Sequence, residues 1–340
     1  MKLLDLADLS SGPGRALLEA TCAMGFSEPV ARAGLEAELG AWRSPGAIAG
    51  VLRELPPDLD PRRRPREVLV IAARTLPVSA MRAVLMARLL GARVRLKSSS
   101  GQETLGEILQ AVDPGVVATP FASDEEDALQ AHLDEVDAVV VLGEDSTLDA
   151  VRAATPDGCA FIGYGHKVSA AWLDRTDQTT ARALALDLCA WDQSGCLSPQ
   201  VAWVSGEPET FLARLAEEIE AVESSLPMDL PEGARHARAI ARTTGEMLGE
   251  VAETRTALLC ALPAGPFRPS PGFRTLWLLP QEAAGPAGLG DTLSSLACTD
   301  LPPPGLHPHV RRCAPGELQR PPLGWPHDGR PNLLPMLREI

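Results

Sequence analysis

The chain has 340 residues, enough for two domains of ordinary size around a well-buried core. Its 45 acidic against 31 basic residues leave a net charge of −14, which excludes a phosphate-tracking surface and makes DNA and RNA poor partners. Seven cysteines, an odd number without a CxxC pair, argue against a disulfide framework or a zinc ribbon; a reducing, cytoplasmic setting is expected, with no metal site.

In chain order, residues 1–10 carry Asp5 and Asp8 inside an apolar stretch, which suits neither a secretory segment nor a membrane span. The first sixty residues read as helical: Ser27-Glu28-Pro29 is a cap with proline at the first helical position, and Val30, Ala33, Leu35 and Leu39 follow at helical spacing. Pro56, Pro57 and Pro61 break that pattern, and Arg62, Arg63, Arg64 and Arg66 form a solvated basic connector. From Glu67 short apolar strands alternate with helices: strands at 68–71, 94–96, 115–118, 138–142 and 159–162, helices at 81–90 and 125–133 and one beginning near Leu148. Continuous apolar runs predict a parallel, doubly wound sheet covered on both faces, an architecture that binds nucleotides at strand C-termini. Two amphipathic helices follow at about 207–224 and 233–250, then proline-rich loops and candidate strands at 275–280 and 310–312.

The stretch from Asp187 to Gln200 holds the thiol that needs explaining. Gly195 leaves room beside Cys196, and Ser198-Pro199 reads as an N-cap and first helical residue, whose unpaired N–H groups would favour a thiolate. The plain alternative is a small buried hydrophobe. Cys189, with apolar flanks, reads as a helix-core residue. His307-Pro308-His309 offers two imidazoles, but no third ligand has recognisable spacing, so a loop is the better reading.

Three strings resemble the long-chain acyl-CoA reductases of the LuxC type, a branch of the aldehyde dehydrogenase superfamily. They are Asp192-Gln193-x-x-Cys196-Leu197-Ser198-Pro199-Gln200, Gly163-Tyr164-Gly165-His166-Lys167-Val168-Ser169, and Gln319-Arg320-Pro321-Pro322-Leu323-Gly324-Trp325-Pro326-His327-Asp328-Gly329-Arg330, in the family's order. The resemblance runs from about Val68 to the C-terminus. It implies an α/β fold of aldehyde dehydrogenase type, a doubly wound parallel-sheet cofactor domain plus a smaller α/β catalytic domain. On that basis residues 1–66 are an N-terminal helical segment, 67–186 the nicotinamide-binding domain, 187–318 the nucleophile-bearing domain, and 319–340 a segment returning to the active-site entrance.

The resemblance also implies roles. Cys196 attacks a thioester, the thiol leaves, and NADPH reduces the acyl-enzyme to an aldehyde. Neither GxGxxG nor GxxxxGK[ST] is present, but the superfamily holds its cofactor with a Lys-Pro-Ser-Glu stretch, here Lys97-Ser98-Ser99-Ser100. Lys97 would bond the adenine ribose. Ser100 stands where NAD-preferring relatives keep a carboxylate, and a hydroxyl tolerates the 2′-phosphate of NADPH; the plain alternative is a polar loop. Gly143, Ser146 and Thr147 either approach the pyrophosphate or serve only to start a helix. The Cys196 N–H is the first oxyanion donor. Thr75 replaces the usual Asn before Leu76-Pro77 as the second, with Arg74 as a substitute if the turn shifts. Gly163 replaces the Glu that activates water in oxidising relatives, which favours reduction. His166 is an acid–base candidate or structural, and Trp325 lines an acyl or nicotinamide channel or simply packs.

The expected activity is NADPH-dependent reduction of fatty acyl-CoA or another acyl thioester, with an acyl-transferring partner enzyme as one source of substrate and a homo-oligomer left open. The alternatives are a CoA-acylating aldehyde dehydrogenase working oxidatively on short aldehydes, and a weakly catalytic subunit that binds acyl chains or a partner, which the Thr75 substitution motivates.

Overall fold

The computed structural model describes residues 2–281 and 285–339. It divides into two compact units: Met1–Gly25, Glu38–His166 and Pro322–Ile340 form the first, Phe26–Ala37 and Lys167–Pro321 the second. The chain therefore passes between units at His166/Lys167, upstream of the 186/187 boundary suggested by the sequence, and its C-terminal residues belong to the first unit.

The first unit is built on five parallel strands, β1 (Glu67–Ile71), β2 (Arg93–Lys97), β3 (Val116–Ala118), β4 (Ala138–Leu142) and β5 (Ala160–Tyr164), in the order β3-β2-β1-β4-β5. Runs such as Ala-Val-Val-Val-Leu are buried along their whole length because helices cover both faces. Helix α1 (Gly12–Ala23) lies N-terminal to the sheet, α2 (Glu28–Trp42) begins in the second unit and ends in the first, and α3 (Ala47–Leu52) follows. The connecting helices are α4 (Pro77–Leu89), α5 (Glu103–Val112), α6 (Glu126–Leu133) and α7 (Asp145–Ala154). One core joins Leu69, Ile71, Val139 and Val141 to Leu133, Leu148 and Val151. Strand order reverses between β1 and β4, so the loops leaving their C-terminal ends border the crevice where such sheets bind ligands.

The C-terminal residues are tied into this unit by buried Arg82 of α4, whose Nη2 donates to Leu323 O at 2.7 Å, Trp325 O at 2.8 Å and Asn332 Oδ1 at 3.1 Å. Arg338 N donates to Arg63 O at 2.7 Å, so part of the arginine run read as a connector holds the chain end.

The second unit carries seven strands. These are β6 (Val168–Leu173), β7 (Pro199–Val204), β8 (Glu250–Glu253), β9 (Leu258–Ala261), β10 (Thr275–Pro280), β11 (Leu293–Cys298) and β12 (Arg311–Cys313), in the order β12-β11-β6-β7-β10-β9-β8. All pairs are parallel except β8 with β9. Helices α8 (Gln178–Cys189) and α9 (Pro208–Glu223) bury Leu184, Leu188, Leu212, Leu215 and Ile219 on one face. Helix α10 (Glu232–Leu248) contributes Ala241 to a second core with Trp203, Trp277 and Leu296.

One local expectation is overturned. Ser198-Pro199 does not open a helix: Pro199 is the first residue of β7, a strand position where its missing N–H costs nothing. Val201, Trp203 and Val204 then favour extended structure over helix. The field of a helix N-terminus is thus not what acts on Cys196.

Candidate functional site

Cys196 sits in the turn between α8 and β7 and is the exposed one among the seven cysteines. Burial pushes Cys159 and Cys298 up to about 11 and Cys189, Cys260 and Cys313 up to about 12, which keeps those thiols protonated and inert. Cys189, only seven residues away, is in the core as its flanks suggested.

The backbone leading to Cys196 is unusual. Trp191, Asp192 and Gln193 lie in succession at φ 51°, 50° and 62°, and Phe273 and Arg274 just before β10 lie at 53° and 58°. A non-glycine residue in this region costs about 1–2 kcal/mol, so five of them demand compensation. The compensation is visible. Asp192 accepts from buried Arg274, Nη2 at 2.6 Å and Nε at 3.1 Å. Arg274 also donates to Thr256 Oγ1 and Leu226 O, both at 2.8 Å. Gln193 Nε2 donates to Pro199 O and Thr275 O, each at 2.7 Å, and its Oε1 accepts Thr275 N at 2.7 Å. Its amide thus ties the first residues of β7 and β10 together. Trp191 fills the space above Gly34, where an added Cβ would lie 2.2 Å from the indole, and meets Phe26 edge-on at 5.4 Å.

Beyond the turn, Ser169 Oγ of β6 donates to Cys196 O at 2.8 Å, and Ser198 N donates back to Gly195 O at 3.0 Å. Gln319 Nε2 donates to Ser198 Oγ at 3.0 Å. Buried Arg311 donates to Ser295 Oγ at 3.1 Å and to the Glu317 and Leu318 carbonyls, and its charge is felt at Cys196. Asp187 on α8 accepts Gly316 N at 2.6 Å and Leu318 N at 3.0 Å; burial nevertheless raises its carboxyl to about 7.

The proposed cofactor residues lie in the first unit, at the C-terminal ends of its strands. Lys97 closes β2 with a largely buried stem. Its Nζ donates to Ser123 Oγ at 3.2 Å and lies 5.2 Å from the Phe121 ring centroid, and burial lowers its pKa. One hydrogen bond for an ammonium with three donors leaves capacity for a ribose. Ser98 Oγ is buried without a partner, and Ser100 is exposed. These features fit a polar ligand laid along the loop. Gly143 N donates to Tyr164 O at 3.2 Å and Thr147 N to Glu144 O at 2.9 Å, so both groups serve the fold itself. Ser146 is exposed in the first turn of α7, which begins at Asp145, earlier than expected. Thr75 and Arg74 are exposed after β1, and Gln102 Nε2 grips Arg74 O.

Gly163 lies in β5, where an added Cβ would come 2.8 Å from Phe161 and 3.0 Å from Leu148, and its carbonyl accepts Arg330 Nη1 at 2.9 Å. His166 is exposed, and its N–H donates to Asp145 Oδ1 at 3.3 Å. Trp325 is buried at 5.8 Å from the Arg82 guanidinium and 5.1 Å from His327, which stacks on Tyr164 at 4.2 Å. His309 Nε2 bonds Leu293 O at 2.9 Å. Among the described residues no group of three His, Cys, Asp or Glu could hold a metal, and no helix is long and apolar enough to cross a membrane. Sequence reasoning missed Arg274, Ser169 as an anchor, Ser295 and Arg311. Only Ser169 lay inside a quoted motif, and a buried arginine in a loop leaves no periodic trace.

A family model described as acyl-CoA reductase (LuxC) matches residues 63–257. The long-chain acyl-protein thioester reductase of Vibrio harveyi is 31% identical over 115 residues, which covers 33% of this chain and 24% of that protein. The chain thus matches about a quarter of that relative's length. Among solved structures, the NADP-dependent glyceraldehyde-3-phosphate dehydrogenase of Bacillus halodurans superposes at a TM-score of 0.68 with 15% identity, over 99% of this chain and 84% of its own. The NAD-dependent benzaldehyde dehydrogenase of Corynebacterium glutamicum gives 0.64 with 14% identity, over 87% and 75%. At such identities these two establish the aldehyde dehydrogenase-like fold alone. With more than half of the chain inside the matched family and an exposed cysteine on a braced turn, the protein belongs to the acyl-CoA reductase (LuxC) family.

Proposed function

We propose that this protein reduces an acyl thioester, fatty acyl-CoA or an equivalent donor, to the aldehyde through an acyl-enzyme on Cys196. The carrying observation is the contrast among thiols: Cys196 alone is exposed, while five others are held by burial at about 11 to 12. The Cys196 thiolate forms a C–S bond to the thioester carbonyl, and the C–S bond to the donor thiol breaks. The Cys196 N–H and Thr75 serve as oxyanion donors. A bound NADPH would supply the hydride, and Cys196 would leave as the thiolate when its C–S bond breaks to free the aldehyde.

Lys97 and Ser100 would hold the adenosine ribose and its 2′-phosphate. Ser146, exposed in the first turn of α7, would approach the pyrophosphate, whereas Gly143 and Thr147 contribute by shaping the turn. Gly163 supports the reductive direction. A side chain longer than hydrogen meets Phe161 and Leu148 at that position, so no carboxylate stands there to activate water. His166 is the remaining acid–base candidate for protonating the departing thiol, and Trp325 remains a packing residue or a channel wall. We place the protein in the cytoplasm, with an acyl-transferring enzyme as one source of substrate.

The test is intact-mass spectrometry after addition of acyl-CoA without NADPH. An acyl adduct on Cys196 that persists, and that is absent in Cys196→Ala, is expected. An adduct mapped to Cys189, or none at all, would sink the assignment.

A further inference from the structure

The motif residues Asp192 and Gln193 precede the thiol by four and three positions, and the chemistry above leaves both unused. Neither reaches solvent: each is more than nine-tenths buried, as is Arg274. The Asp192 partner, Arg274, lies on a second left-handed segment, Phe273-Arg274, and Gln193 bonds Pro199 and Thr275, the residue that follows that segment. Five of the six non-glycine residues with left-handed φ among the described residues therefore fall in two segments joined by side chains. Strain concentrated beside a reactive group, with side chains that hold it, is the pattern of a preorganised site.

We propose that Gln193, backed by the Asp192–Arg274 pair, is a positioning residue for Cys196. It replaces backbone pairing with a side-chain amide that bonds Pro199 O, Thr275 O and Thr275 N, so the entry to β7 is fixed with respect to β10. The ion pair holds the preceding residue in the same left-handed turn. Ser169, bonded to Cys196 O, fixes the other side of the cysteine Cα. The consequence is a thiol whose direction is set before substrate arrives, so the bracket acts on attack geometry rather than on thiol ionisation or acyl-CoA binding. This inference rests on Cys196 being the nucleophile.

The experiment compares two rates in the full chain: single-turnover acylation by a long-chain acyl-CoA, and alkylation of Cys196 by iodoacetamide, a small neutral reagent that needs no fixed direction. Gln193→Met keeps the side-chain length and removes every amide bond. Arg274→Lys keeps the charge and loses the forked contact with Asp192. Acylation is expected to fall roughly ten- to a hundredfold in the first and about three- to tenfold in the second, with KM and alkylation within about twofold of wild type. Should Gln193→Met fail to fold, Arg274→Lys carries the test alone. The inference is overturned if acylation is unchanged in the folded variants, or if acylation and alkylation fall by the same factor, as they would in a loop that has merely come apart. A wild-type protein that forms no Cys196 adduct removes the nucleophile reading instead, which separates the two failures.

Discussion

The turn that carries Cys196 and the loops that leave β1, β2 and β4 are all short connections at strand ends, but they are held in opposite ways. The cysteine turn is braced by a buried ion pair, a buried amide and a buried indole, with only the thiol's own surroundings exposed. Around the proposed cofactor loops, Thr75, Ser100 and Ser146 stand in solvent, Ser98 Oγ has no partner, and Lys97 makes one hydrogen bond. On the proposed function the difference has a physical reason: covalent chemistry tolerates little error in direction and takes its order from the protein, whereas a dissociable ligand brings its own hydrogen-bonding groups and completes an unfinished loop on arrival.

The largest effect should come from breaking the brace. Asp192→Ala leaves the Arg274 guanidinium buried and uncompensated, and such a loss costs about 3–5 kcal/mol. Urea unfolding should show it, while Ser100→Ala on the exposed loop should stay within about 0.5 kcal/mol. Similar losses in the two variants would erase the contrast.

The braced unit should also carry a pH dependence between acid and neutral pH, set by a buried carboxyl. Asp187 has an ordinary carboxyl pKa of 3.8 when unfolded and about 7 when folded, chiefly through burial. Between those values the folded chain keeps a proton that the unfolded chain has lost, so the group's contribution to stability is greatest below about pH 4 and is lost as pH rises toward 7. Asp187→Asn should remove much of that slope, a change on the order of a few kcal/mol across the interval. Denaturation midpoints measured from acid to neutral pH check it, and an unchanged slope would show that the two N–H donors from Gly316 and Leu318 keep Asp187 ionised.

Much of the first unit was legible in the chain because its strands are continuous apolar runs separated by helices, a pattern that few folds share. The second unit was less so. Leu293–Cys298 sets two adjacent serines inside an apolar run and is not among the strands expected from the sequence, yet Ser294 and Ser295 are fully buried and Ser295 Oγ accepts from Arg311. Ser198-Pro199 carries a genuine helix-start signal, and tertiary pairing of β7 with β6 and β10 overrides it. Cys196 was visible through its flanks. The brace was not, because Arg274 lies some eighty residues downstream and its importance is a property of burial and partners, neither of which has a sequence period.

Cofactor choice tests the exposed side of the comparison at intermediate size. Ser100→Glu adds a carboxylate at the end of the loop after β2, which repels a 2′-phosphate and accepts the two hydroxyls of an unphosphorylated ribose. The ratio of kcat/KM for NADPH over NADH should fall by about 1–3 kcal/mol, or roughly ten- to a hundredfold. A wild type that already prefers NADH, or an unmoved ratio, would detach this loop from the ribose.

The smallest expected effect lies at Thr75, on the exposed loop after β1, for which an oxyanion role is proposed. The threonine follows β1 with its side chain in solvent, next to Arg74, whose carbonyl is gripped by Gln102. The backbone here is anchored although the hydroxyl is not, so a donor at this position starts with a fixed origin and a rotatable end. One such hydroxyl should stabilise an oxyanion less than a rigid amide does. Thr75→Val keeps the β-branch and volume but removes the donor, and turnover should fall about tenfold. Thr75→Asn restores the amide usual at this position and should maintain or raise turnover, with KM for acyl-CoA little changed in either variant. Steady-state rates decide between the readings. If valine, threonine and asparagine give equal kcat, Thr75 does not face the reacting carbonyl and its proposed role as a donor falls.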